Sequence, residues 1–117
     1  MQVHAITKNV RMSAQKMREV VRQIQGLPAA RAQAVLAVVP RKGARFVAKT
    51  LRSAIANAED LKEHKKEYSG MKTDRLVVKE ALAQTASTLR RFTPKARGSA
   101  GPILKRNCHI KIVLSDE

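Results

Sequence analysis

The chain has no tryptophan, one tyrosine and two phenylalanines in 117 residues. Binders of single strands built on RRM or OB-type sheets need aromatic stacking platforms, and Phe46, Tyr68 and Phe92 are too few to make one. A single cysteine, Cys108, excludes an intramolecular disulfide and agrees with a reducing compartment. No apolar run approaches the ~20 residues of a membrane span. The opening MQVHAITKNVRM lacks the apolar core of a signal peptide, so an uncleaved cytosolic protein is expected. Acidic residues are also scarce: 9 Asp and Glu face 24 Lys and Arg, a net charge of +15. That excess points to a phosphate-rich partner. Nucleic acid leads, ahead of anionic membranes, glycans or a merely solvated basic surface.

Catalytic constellations are missing as well. His4, His64 and His109 fall in a strand, a loop and a strand, with no ligand-like spacing. Cys108 and His109 are adjacent in a strand and so point to opposite sheet faces, which does not make a metal site. Cys108 reads as a small buried hydrophobe. His109 can touch phosphate or cap a sheet face. Gly98 and Gly101 are not followed by Lys-Ser/Thr or a helix start, so they are not a phosphate-cradling loop. No enzyme activity, metal or cofactor is expected.

What the chain does have is periodicity. Val3–Val10 favours a strand. A helix follows from Ser13, whose hydroxyl is placed to cap the first turn. Met17, Val20, Val21 and Ile24 mark its inner face, and Gly26 suits its stop. A second helix is expected over Pro28–Val39, with Ala32, Val35, Leu36 and Val39 inside and Pro40 beyond. A third runs from about Arg41 to Glu63, with Ala44, Val47, Ala48, Leu51, Ile55, Ala58 and Leu61 on one stripe. Its first half carries Arg41, Lys42, Arg45, Lys49 and Arg52. Cations there oppose the helix macrodipole, so a bound phosphate would be a sensible counterweight. His64–Asp74 reads as a surface loop.

The stretch Ala81–Ser115 holds seven Lys and Arg and no acid. Leu76–Leu82 before its centre and Cys108–Leu114 after it read as strands; the centre, Thr93–Pro102, carries two Pro and two Gly. A hairpin arm over residues 85–105 is expected, standing off a body formed by 1–84 and 106–117 of one domain. About ten residues per limb at ~3.3 Å each reach roughly 30 Å. The predicted fold is α+β: three helices packed on a small three-stranded antiparallel sheet, with a long extended β-hairpin arm.

A thin arm has no core, so Arg90, Arg91, Lys95, Arg97, Lys105 and Arg106 must meet solvent or a polyanion. Phe92 among them can stack on a base or pack across the hairpin; packing is slightly favoured. A second basic group, Arg11, Lys16, Arg18 and Arg22, gathers around the first helix. Arg18 and Arg22 are like charges at i, i+4, unfavourable unless an anion lies between them. With few aromatics, the expected partner is folded RNA recognised by shape, backbone and charge.

Several segments together resemble a known family. Arg11-Met-Ser13-Ala-Gln-Lys16-Met-Arg18 with Val20-Val21, then Ser53-Ala-Ile-Ala-Asn57-Ala-Glu59, are similar to the first- and third-helix signatures of the large-subunit ribosomal protein twenty-two family, bacterial type. Pro94-Lys-Ala96-Arg97-Gly98, Ile103-Leu104-Lys105-Arg106-Asn-Cys-His109-Ile110 and Ser115-Asp116 match its arm and last strand. The resemblance implies a structural, one-copy constituent of the large ribosomal subunit, cytoplasmic or organellar. It implies binding to several domains of large-subunit rRNA, support of early assembly, and contact with neighbouring ribosomal proteins. It also implies an arm lining the nascent-peptide exit tunnel, near nascent peptide and macrolides. By position, Leu89, Arg90, Arg91, Thr93, Pro94, Lys95, Ala96, Arg97 and Gly98 would line the tunnel at the arm's end. Arg11, Lys16, Arg18, Arg22, Arg41, Lys42, Arg45 and Lys49 would anchor the body.

The chain departs from the family pattern at Lys95, at Ser99-Ala100-Gly101-Pro102 and over Glu80–Ser87. Two rivals follow from other classes. A β-armed architectural DNA binder would need a dimer face, and none is evident. A metal-dependent nuclease would need clustered carboxylates, and the arm supplies none.

Overall fold

A computed structural model describes residues 1–116; Glu117, the last position of the expected domain, lies outside the described residues. The elements run β1 (Gln2–Val10), α1 (Ala14–Val21), α2 (Ala29–Val38), α3 (Lys42–His64), β2 (Val77–Thr85), β3 (Leu89–Pro94), β4 (Ala100–Lys105) and β5 (Cys108–Ser115). Antiparallel pairing in the order β1-β5-β2 forms a three-stranded sheet, and β3-β4 form a separate hairpin. The expected α+β architecture is the observed one.

Alternation along β5 sets the layers. Cys108, Ile110, Ile112 and Leu114 are fully buried on the helix-facing side, against Met17, Val20, Val47 and Leu51. Small residues on the inner stripe of α3 (Ala44, Ala54 and Ala58, all buried) leave room for the sheet to come close. The stripe is turned slightly from the expected one: Ala54 and Thr50 are fully inside, while Ala48, Ile55 and Leu61 are partly buried. Gly43 leaves room for the methionines: a Cβ there would lie 2.9 Å from Met17 Sδ, so that side chain would have to shift. The buried Thr50 hydroxyl donates to the Phe46 carbonyl (2.9 Å) and meets Thr7 Oγ1 at 2.7 Å, tying α3 to β1.

Element ends differ from expectation in informative ways. Ser13 stands at the N-cap of α1, yet its side chain makes no cap bond; its carbonyl receives the Met17 amide instead (3.0 Å). The α1 helix closes at Val21, and the chain turns to Gly26 at φ +80°. There the Gly26 and Ala29 amides donate to the Val78 and Leu76 carbonyls (both 2.8 Å). These bonds stitch the α1–α2 link to β2, which is why Pro28 sits outside α2 rather than in its first turn. The loop after α3 holds two short 3₁₀ turns and buries Met71, whose flexible thioether side chain joins the core. Asp116 accepts from the Met1 ammonium (3.1 Å) and the Lys72 amide (3.3 Å), and these bonds hold its carboxyl below the ordinary carboxylate range.

The Cα radius of gyration is 17.7 Å, against roughly 13 Å for a compact chain of this length. The excess comes from the hairpin, which extends the molecule to 67 × 28 × 16 Å.

Candidate nucleic-acid interface

The arm does not continue the body sheet as one ribbon. β2 ends at Thr85, and 86–88 break the ladder before β3 starts at Leu89. The break is stapled from the returning limb. The Ala86 amide donates to the Asn107 carbonyl (3.1 Å), and Asn107 Nδ2 donates to the Ser87 carbonyl (3.0 Å). The fixed joint explains why a thin hairpin leaves the body in one direction.

Beyond it, six residue pairs run from Leu89↔Lys105 to Pro94↔Ala100. The turn is tight: the Lys95 amide donates to the Ser99 carbonyl at 2.6 Å, with Arg97 and Gly98 both left-handed (φ +59° and +73°). Gly98 takes that conformation freely, whereas Arg97 holds it at a steric cost. The aliphatic stem of Lys95 folds back over Gly101, where a Cβ would meet Lys95 Cε at 2.7 Å. Gly101 is therefore buried in an otherwise open arm.

Arg90, Arg91, Lys95, Arg97, Lys105 and Arg106 are all exposed. Among the described residues, no carboxylate forms an ion pair with them. Phe92 does not pack across the hairpin, contrary to the favoured expectation. It is 75% exposed because its cross-strand neighbour, Pro102, sits beside it on an uncovered face.

The expected body anchor divides into two sites. Arg11 and Arg18 lie at the arm's root, where part of their donor capacity serves the fold. Arg11 Nη1 donates to the Arg106 carbonyl (2.8 Å), and Arg18 Nε donates to the Ala83 carbonyl (3.1 Å). Ser13, Gln15, Arg18, Thr85, Arg106 and Asn107 surround a hollow of about 350 Å³ there. Lys16 on α1 and Arg22 at its C-terminal cap are exposed.

The second site is a cleft of about 920 Å³ between α2 and the start of α3. Arg41, Lys42, Arg45, Lys49 and Arg52 line it, over a floor that includes Leu36, Val39 and Phe46. Arg41 is partly committed: its Nη1 lies 3.3 Å from Glu19 Oε2, pinning α3 to α1. No acidic residue occupies the first turn of α3, so macrodipole and side chains make one positive region. Arg52 was read among the cations of the third helix but not among the anchors, and half-buried Phe46 was not expected at the site. The Arg45–Lys49–Arg52 spacing of four and three was the signal for Arg52; for Phe46 there was none.

The remaining candidates serve the fold. Burial pushes the Cys108 thiol up, as suits an inert core thiol. His109 Nδ1 accepts the Asn9 amide (3.0 Å) at a bulge in β1, where Asn9 is left-handed (φ +57°). A ring nitrogen that accepts this bond is capping the sheet, the second of the two readings of His109. Among the described residues, no group of three or more His, Cys, Asp and Glu could hold a metal ion. Among the same residues, no helix is long and apolar enough to cross a membrane.

The sequence model of a family described as ribosomal protein L22p/L17e matches residues 5–115. The chain belongs to that family. Large ribosomal subunit protein uL22 of Opitutus terrae is 50% identical over 116 residues, covering 99% of this chain and 96% of that one. Its counterpart in Akkermansia muciniphila is 44% identical over 117 residues, covering 100% and 98%. The match spans body and arm alike, including the L22-type signatures on α1, α3 and the hairpin. As a member of the L22p/L17e family the chain is a ribosomal protein, not an enzyme.

Proposed function

We propose that this chain is a structural constituent of the large ribosomal subunit that binds large-subunit rRNA at several separated places. One observation carries the reading: an acid-free hairpin with five exposed cations, and a sixth, Arg106, at its root, stands off a body of the same charge sign. Without counterions such an arm repels itself; between RNA phosphates the same charges become attractive. The relatives named large ribosomal subunit protein uL22 support the assignment to that subunit.

The α2–α3 cleft, with Arg41, Lys42, Arg45 and Lys49, takes one RNA segment. The root cluster of Arg11, Arg18 and Arg106, flanked by Lys16 and Arg22, takes a second. The arm threads between further segments, so that RNA domains far apart in sequence are held by one rigid piece. This supports assembly. The chain acts as a single domain, body 1–84 and 106–117 with arm 85–105, present as one copy among neighbouring ribosomal proteins in the cytoplasm. The arm, from Leu89–Arg91 near its base to Thr93–Gly98 toward its far end, lines the nascent-peptide exit tunnel, near nascent peptide and macrolides.

Co-sedimentation tests the subunit assignment. The tagged chain is expected to stay with large subunits through a high-salt wash; release into the free-protein fraction at moderate salt would refute it. The tunnel placement is tested separately. Alanine replacement of Leu89–Arg91 is expected to change macrolide sensitivity of the host, and an unchanged dose response would refute that placement.

A further inference from the structure

The arm has two chemically different faces. Antiparallel register puts Arg90 opposite Leu104, Phe92 opposite Pro102 and Pro94 opposite Ala100, and alternation places all of them on one side. The other side carries Leu89, Arg91, Thr93, Ile103 and Lys105, and is closed near the tip by the Lys95 stem over Gly101. The first face is uncovered: Phe92 is 75% exposed and Leu104 48%. Beside the ring, Phe92, Thr93, Pro94, Gly98, Ser99 and Ala100 border an open hollow of about 300 Å³. An aromatic ring left in water forgoes the favourable transfer that burial brings. Among the described residues, no element covers it.

We infer that Phe92 is a stacking platform for one unpaired nucleobase of the RNA. The face combines a flat π surface and rigid proline rings with a guanidinium two residues away, on an arm without acids. A base supplies the π face, and its phosphates supply the charge that Arg90 needs. An apolar protein patch would satisfy the ring but leave Arg90 unmatched. The opposite face, with Arg91 and Lys105, then contacts backbone phosphates. The inference rests on the rRNA reading above.

The test uses the full chain and deproteinised large-subunit rRNA, with affinity measured over a salt series. Phe92→Ala is expected to weaken binding about 5- to 150-fold, the range for losing one stacked base. The slope of log affinity against log salt should not change, since no charge is removed. Phe92→Tyr should restore affinity and Phe92→Leu should not. Circular dichroism should show unaltered folding for all three, because the side chain lies outside the core. Wild-type affinity for Phe92→Ala, or full rescue by Phe92→Leu, would overturn the stacking role. A defect seen only when other ribosomal proteins are present would also overturn it, assigning the ring to a protein neighbour. If the unaltered chain fails to bind the rRNA, the broader reading falls instead.

Discussion

Replacing Arg90 and Arg91 together with alanine removes two exposed guanidiniums from the arm without touching the core. Arg91 Nη1 donates to the adjacent Arg90 carbonyl (2.8 Å), a local bond whose loss leaves the β3–β4 ladder intact. Each neutralised phosphate contributes about 0.7–0.9 to the slope of log affinity against log salt. If each guanidinium neutralises one phosphate, the double variant loses about 1.4–1.8 of slope. Between 50 and 200 mM salt, the unaltered chain should then lose roughly 7- to 12-fold more affinity than the variant. Filter binding to large-subunit rRNA at four or five salt concentrations resolves that difference. Thermal melting in parallel confirms equal folded fractions. An unchanged slope, with affinity lowered or not, would refute the claim that these side chains meet phosphate. Such a result would point instead to an arm contacting protein or solvent.

Other consequences follow from the same geometry. Ile110→Ala empties a fully buried position on the central strand and should cost about 2–5 kcal/mol, read as a lower urea midpoint with an unchanged m-value. Thr50→Val removes the hydroxyl that joins Thr7 and the Phe46 carbonyl at nearly constant volume; a loss of ~1 kcal/mol is expected, by the same measurement. The buried Cys108 thiol, with its pKa pushed up, should resist alkylation at pH 8 in the native chain and react promptly in urea. Arg97→Gly relieves a left-handed backbone worth about 1–2 kcal/mol while deleting a charge. The melting temperature should therefore hold or rise while RNA affinity falls, and a parallel fall in both would show that Arg97 supports the turn.

The linear order of residues determines much of this protein. The 3.6-residue stripe through Met17, Val20 and Val21, and the two-residue alternation along Cys108–Ser115, specify elements and inner faces by themselves. Excess positive charge and the acid-free run Ala81–Ser115 likewise belong to composition, so the expectation of a phosphate-rich partner rests on the sequence alone. Tertiary structure alone decided how those charges are used. Arg11 and Arg18 lie within one basic helix entry in sequence, but long-range carbonyl partners at Arg106 and Ala83 draw them to the arm's root. Arg41 through Arg52 become a cleft because α2 folds back beside α3. Phe92 and His109 were each ambiguous because their roles depend on what lies opposite. Register left one beside Pro102 on an open face, and a β1 bulge gave the other a backbone amide to cap. Periodicity is a local property of the chain, whereas pairing depends on residues distant in sequence. The elements were therefore readable one at a time, and the interface only once they had met.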